Sequence, residues 1–206
     1  MVTALASGFG FGLLVAAQVG PIWLLCVRGV LHGGVAIGLA LGLGAAIVDV
    51  AYAALGVAGV ATVLQLGGVR IVFGALGVAV LLVLGIRALR SALRDGPADP
   101  AVDGVSGVRP AFLTGLAATA ANPLTILSWA AVFAAVSAAG TADGSGSSPI
   151  LLVGVGIGTF CWFALLSVLV AGLGRFLGPR LRRTIDLVAA CGLLVFAVVL
   201  AWRILA

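Results

Sequence analysis

Six stretches of this 206-residue chain each run for more than 20 residues with almost no charge. They span Thr3–Val27, Val35–Leu64, Val69–Leu89, Pro110–Ala138, Pro149–Leu173 and Thr184–Leu205. A helix needs about 20 apolar residues to cross the hydrocarbon core of a bilayer, whereas barrel strands need about 10 in strict alternation. Alternation is absent here, so the lengths predict spanning helices. A soluble alternative fails on composition: 63% of residues are hydrophobic and 8% charged, against roughly 45–50% and 25% in soluble domains. A globule this small has too much surface to hide that excess. The expected fold class is an all-α integral membrane protein of six transmembrane helices.

The few charges orient the spans. All eleven bases are arginine and all six acids aspartate. Nine arginines fall in the first, third and fifth connections (Arg28; Arg87, Arg90, Arg94 and Arg109; Arg175, Arg180, Arg182 and Arg183), and only Arg70 and Arg203 on the other side. Positive charge stays cytoplasmic, which places both termini outside. The third connection is rich in Asp, Gly and Pro and reads as a cytoplasmic linker over residues 90–108. The fourth, Gly140 to Ser148, has no base and reads as an external loop. The formal charge of +5 does not imply nucleic acid, which needs a clustered basic face on a soluble module. Met1 to Ser7 carries no basic n-region, so the first run does not read as a cleavable signal.

The linker separates two similar halves, residues 1–89 and 109–206. Phe9-Gly10-Phe11-Gly12-Leu13 is echoed by Phe112-Leu113-Thr114-Gly115-Leu116, and Gly20-Pro21 by Asn122-Pro123. Gly42-Leu43-Gly44 is echoed by Gly156-Ile157-Gly158, and Ala75-Leu76-Gly77 by Ala190-Cys191-Gly192. Three spans per half force opposite orientations, and inverted repeats are a common transporter design.

The prolines are the first chemical feature. Each removes a helical hydrogen bond and clashes with the carbonyl four residues back, here Ala17 and Thr119. Gly20 and Asn122 precede them and are easily turned out of helical geometry. One proline alone reads as a kink; two at corresponding places read as broken helices flanking a substrate site. Broken ends expose backbone N–H groups that suit a carboxylate.

Asp49 is the second feature, the one acid well inside an apolar span. A mid-bilayer carboxylate costs about 2.5–3.5 kcal/mol on insertion scales and marks a pathway or proton relay; the alternative is a structural acid bonded to a freed amide. Its stripe (Gly42, Ala45, Ala46, Tyr52, Ala53, Gly56) is small or polar, so it faces the bundle, with Tyr52 one turn along. Asn122, Thr125 and Trp129 share a face of the fourth span, where Trp162 of the fifth can meet them; interhelical bonding and aromatic packing explain them equally well. Glycines four apart (Gly8/Gly12, Gly34/Gly38/Gly42, Gly154/Gly158) read as close-packing grooves. Cys26, Cys161 and Cys191 read as packed thiols, with no metal spacing or disulfide framework. His32 is expected to be solvated in a cytoplasmic turn, and Asp186 to sit at the external interface.

Taken together, these motifs resemble the lysine exporter (LysE/RhtB) family of amino-acid efflux transporters over essentially the whole chain. The resemblance rests on Gln18-Val19-Gly20-Pro21 with Arg28-Gly29; Gly42, Gly44 and Asp49 with Tyr52; Asn122-Pro123 with Trp129; and Trp162. It implies six spans, export of amino acids or derivatives, and coupling to the proton gradient. Many members carry Pro-Gly-Pro at Val19-Gly20-Pro21. Basic amino-acid exporters follow Gly-Pro with Gln-Asn where Ile22-Trp23 stands here, which points away from lysine or arginine as substrate.

The expected function is export of small neutral amino acids or derivatives by proton antiport across the cytoplasmic membrane. The expected substrate-binding residues are Gln18, Gly20, Pro21, Asn122, Pro123, Thr125, Trp129 and Trp162; Asp49 and Tyr52 are the expected proton-coupling pair. The expected partners are the substrate, protons and membrane lipid, with a homodimer left open and no nucleic acid. No cofactor is expected. A metal effluxer of the same broad superfamily is an alternative, but the chain offers poor ligands for soft metals. A non-transporting subunit of a larger complex is another. An enzyme is not expected, since no dyad or metal triad can be assembled.

Overall fold

The structure is a computed structural model that describes residues 1–57, 67–93, 107–138 and 149–205. These form eight α-helices: α1 (Val2–Ala16), α2 (Pro21–Gly33), α3 (Val35–Val57), α4 (Gly67–Leu93), α5 (Val108–Ala120), α6 (Pro123–Ala138), α7 (Pro149–Gly174) and α8 (Pro179–Leu205). Most of the expected 90–108 linker, the Gly140–Ser148 loop and the end of the second expected span lie outside the described residues.

Proline starts four of these helices. Pro21, Pro123, Pro149 and Pro179 each occupy the first helical position, where the missing N–H is one the helix could not have used. The first and fourth expected spans are therefore each two helices. α1 and α2 meet at 80°, and α5 and α6 at 61°. The first broken span also runs past the expected Val27 to Gly33. Gly34 then reverses the chain at φ 80°, the one positive φ among the described residues. A side chain rarely tolerates that conformation, which lets α3 start after a single linking residue.

Three helices, α3, α7 and α8, are individually long and apolar enough to cross a membrane; counting each bent pair as one span gives five. The burial pattern suits a lipid surround. Val153, Ile157, Leu165, Val168, Leu169 and Leu173 of α7 are exposed, while Gly154, Gly158, Thr159 and Ser167 are buried. The exposed positions of α7 are mostly large and branched and the buried ones mostly small, because helices in lipid associate by close backbone packing.

The most extensive helix contacts are α1 with α7, α3 with α7, α3 with α5, and α4 with α8. Glycine makes two of these seams, and both are built alike. A Cβ on Gly12 would strike the Val155 carbonyl, and one on Gly115 the Leu41 carbonyl. A Cβ on Gly158 would meet the Phe9 oxygen and Leu13 nitrogen, and one on Gly44 the Phe112 oxygen and Leu116 nitrogen. The echoed sequences Phe9–Leu13 and Phe112–Leu116 thus make matching contacts with α7 and α3.

Candidate functional site

The two breaks lie side by side and enclose a small cavity. It is lined by Gln18 and Gly20 from the first break, Thr119, Asn122, Leu124 and Thr125 from the second, and Ala45, Asp49 and Phe163 among others. Its volume of about 20 Å³ holds about one water molecule.

Asp49 is 2% exposed, and both its oxygens are bonded. Trp129 donates from Nε1 to Oδ1 at 3.0 Å. The Thr159 hydroxyl lies 2.9 Å from Oδ2 and 3.2 Å from the Gly12 carbonyl. A buried charge is tolerable only with such partners. Among the described residues Asp49 is bonded by the side chains of Trp129 and Thr159 and not by a freed backbone amide.

The second break is repaired by side chains. Pro123 cannot donate to the Thr119 carbonyl, which instead accepts from Asn122 N at 3.1 Å. The Ala120 carbonyl would normally take Leu124 N–H, but that amide bonds to Asn122 Oδ1 at 3.1 Å. Tyr52 supplies the substitute, donating its hydroxyl to Ala120 O at 2.6 Å. Asn122 Nδ2 donates to Thr125 Oγ1 at 3.0 Å. Buried backbone groups need such replacements where no water reaches them.

The first break is different. Gly20 caps α2 and has no side chain, so no side-chain cap hydrogen bond is made to its first turn among the described residues. Ile22 of that turn lines the cavity. Ser128 of α6 ties the breaks together: its hydroxyl is 2.8 Å from Gln18 Oε1 and 2.7 Å from the Leu124 carbonyl. Thr119 Oγ1 is buried on the cavity wall with no hydrogen-bond partner among the described residues.

The expected residues divide accordingly. Gln18, Gly20, Asn122, Thr125 and Asp49 line the cavity. Pro21 is buried at the start of α2, and Pro123 begins α6. Trp129 reaches Asp49 rather than the cavity, and Tyr52 bonds to Ala120 rather than to Asp49. Trp162 does not line the cavity. It packs against the core that includes Leu41, Phe163 and Leu166, with its indole N–H unpartnered among the described residues. Nothing in the sequence by itself singles out Thr159, Ser128, Phe163 or the hydroxyl of Thr119. Thr159 follows Gly158 of the α7 seam, and that neighbour was the available signal.

A second polar cluster corrects two expectations. Asp186 is buried against the end of α2 rather than lying at an interface, and His32 is not free in solvent. Arg28 Nε lies 3.1 Å from Asp186 Oδ1, and His32 Nε2 lies 2.8 Å from Oδ2. Arg28 and Asp186 are 7% and 6% exposed. Asp186 is therefore at the same end of the bundle as the end of α2. That follows once α8 is seen to start beside the arginine-rich fifth connection.

Comparison with known proteins matches residues 13–203 to a family described as LysE type translocator. The chain is also similar to a Pseudomonas aeruginosa protein named "Chemotactic transduction protein ChpE", 31% identical over 175 residues, 84% of this chain and 82% of that one. No solved structure matches.

Proposed function

This chain belongs to the LysE type translocator family, and we propose that it exports small neutral amino acids or derivatives by proton antiport. Family membership makes it a multi-pass membrane transporter. The observation carrying the finer reading is the cavity where both helix breaks, Asp49 and the unpartnered Thr119 hydroxyl converge. In transporters, broken helices near the midplane are where substrate binds.

The two breaks suit the two ends of a zwitterion. The first turn of α2 has no side-chain cap, so its amides and helix dipole are available for a carboxylate. Gln18, Asn122 and Thr125 offer oxygens to an ammonium, and Thr119 Oγ1 adds a further donor or acceptor. A lysine-like side chain would bring an extra buried charge needing its own acid. Asp49 already accepts from Trp129 and Thr159, which favours a neutral side chain. The cavity holds about one water, so a break must open for an amino acid to enter.

Two further parts belong to this reading. One is six spans as two inverted three-helix repeats, 1–89 and 109–206, with α4 as the sixth span and 90–108 as a cytoplasmic linker. The matched seams support it, since exchanging α1 with α5 and α3 with α7 maps one seam onto the other. Gly44 and Leu41 stand as far before Gly158 and Val155 as Asp49 stands before Phe163, so only one half carries the acid. The other part is proton exchange at Asp49. A non-transporting role rests only on the name of the Pseudomonas relative.

Reconstituted alone in liposomes, the protein should move amino acid uphill when a proton gradient is imposed. Asp49→Asn should reach the membrane folded and lose that uphill transport; retained gradient-driven transport would reduce Asp49 to a structural role. Cells lacking their own exporters, loaded with dipeptides, then compare threonine, homoserine, leucine, lysine and arginine. Efflux of lysine or arginine with no neutral amino acid moved would overturn the substrate class.

A further inference from the structure

Asp49 sits on α3, yet one of its two side-chain partners belongs to the seam between α1 and α7. Thr159 is fully buried. Its Oγ1 is within hydrogen-bond distance of both Asp49 Oδ2, at 2.9 Å, and the Gly12 carbonyl, at 3.2 Å. A threonine hydroxyl has one hydrogen to donate and lone pairs with which to accept. It can therefore donate to one of these oxygens at a time.

The protonation state of Asp49 chooses between them. As a carboxylate, Asp49 is acceptor-only, so Thr159 must donate to Oδ2 for the bond to exist. When a proton adds to Asp49, it goes to Oδ2, because Oδ1 faces the Trp129 N–H, a donor that cannot accept. The new Oδ2–H then donates to Thr159 Oγ1. The threonine hydrogen is released from that contact and turns to the Gly12 carbonyl. Loss of the proton reverses each step, and no bond within Thr159 is broken.

Gly12 lies within the close-packed part of the seam, with α1 packed directly on the Val155 backbone. Other titratable groups do not substitute for Asp49 here. Tyr52, one turn along α3, is committed to Ala120 O. On the helices packed against α3, Cys26 pairs with Ser167, Arg28 and His32 pair with Asp186, and Cys161 is exposed. Arg109 is exposed in the first turn of α5. α1 brings only the chain N-terminus and α6 no titratable side chain.

We propose that Thr159 is the positioning residue through which this transporter couples its proton to its helices. Its hydroxyl donates to α3 when Asp49 is charged; when Asp49 is neutral it accepts from α3 and donates to α1. This rests on the reading of Asp49 as the proton carrier. It adds the route by which a charge change on α3 alters the α1–α7 seam beside the first helix break.

Infrared difference spectroscopy across a pH titration tests it on the whole protein in lipid nanodiscs, with no substrate present. The protonated carboxyl stretch of Asp49 is the band missing from Asp49→Asn. Thr159→Val should shift that band to higher wavenumber, because the carboxyl has lost a hydrogen-bond partner, and Thr159→Ser should restore it. In wild type labelled with carbonyl-¹³C glycine, the same titration should show an amide carbonyl band that moves with the label. That second measurement needs no variant to fold. An unmoved Asp49 band in Thr159→Val, or no glycine-sensitive band in wild type, would overturn the switch while leaving Asp49 as carrier. A wild type with no Asp49 carboxyl band at any pH would remove the carrier reading, and this inference with it.

Discussion

Trp129 of α6 points its indole N–H at Asp49 Oδ1 of α3 across 3.0 Å, with both residues buried. The bond joins the helix that follows the second break to the one acid in the cavity wall. A hydrogen bond to a charged group contributes about 1.5–3 kcal/mol, so the indole stabilises the carboxylate over the acid. Trp129→Phe keeps most of the ring and removes the donor. We expect it to fold, to retain downhill exchange and to lose most proton-driven accumulation. Tryptophan emission should respond to pH in wild type and not in Trp129→Phe or Asp49→Asn; an unchanged response in both would contradict this role.

The Arg28–Asp186 pair is expected to matter for stability. Removing one member of a buried ion pair costs about 3–5 kcal/mol, because the other is left uncompensated. Arg28→Leu and Asp186→Leu should each lower the unfolding midpoint in detergent micelles, and the double variant should lose less than the sum of the two. His32→Ala should cost less than either, since its side chain is 28% exposed. Strict additivity would show that the pair is not coupled.

Glycine seams should tolerate nothing larger. At Gly12 and Gly115 an added methyl would run into the Val155 and Leu41 carbonyls, which are backbone and cannot swing aside. Overpacking of this kind costs about 1–3 kcal/mol. Gly10→Ala and Gly172→Ala meet nothing within 4 Å and should be neutral or slightly stabilising, as alanine favours helix over glycine by about 1 kcal/mol. Unfolding measurements on all four variants separate the classes; equal losses at Gly10 and Gly12 would refute the close approach.

Topology is testable by labelling. Single cysteines in Gly140–Ser148 and in Ala98–Val105, in an otherwise cysteine-free background, should react from outside and inside respectively. Outside reaction at Ala98–Val105 would invert the orientation drawn from the arginines.

Much of this protein is local, and local features can be read from sequence. Span lengths follow from bilayer thickness, and the breaks from what Pro21 and Pro123 cannot donate. Asp49 stands out because a carboxylate among Gly, Ala and Val has few reasons to be there. The echo between Phe9–Leu13 and Phe112–Leu116 was visible as text, and the contacts made by Gly12 and Gly115 supply its physical meaning.

What sequence alone determined was the solvent, the helices and where they break, because hydropathy and backbone chemistry act within a few residues. Which side chains meet was decided by tertiary packing. Thr159 and Asp49 are 110 residues apart, and Arg28 and Asp186 158; nothing near either threonine or aspartate in the chain names its partner. Trp162 illustrates the converse: its sequence neighbourhood brought it to the site, and the rotation of α7 gives the cavity wall to its neighbour Phe163 instead. A helix face is chosen by the glycines that let backbones touch, and side chains one residue apart are then carried about 100° away from each other.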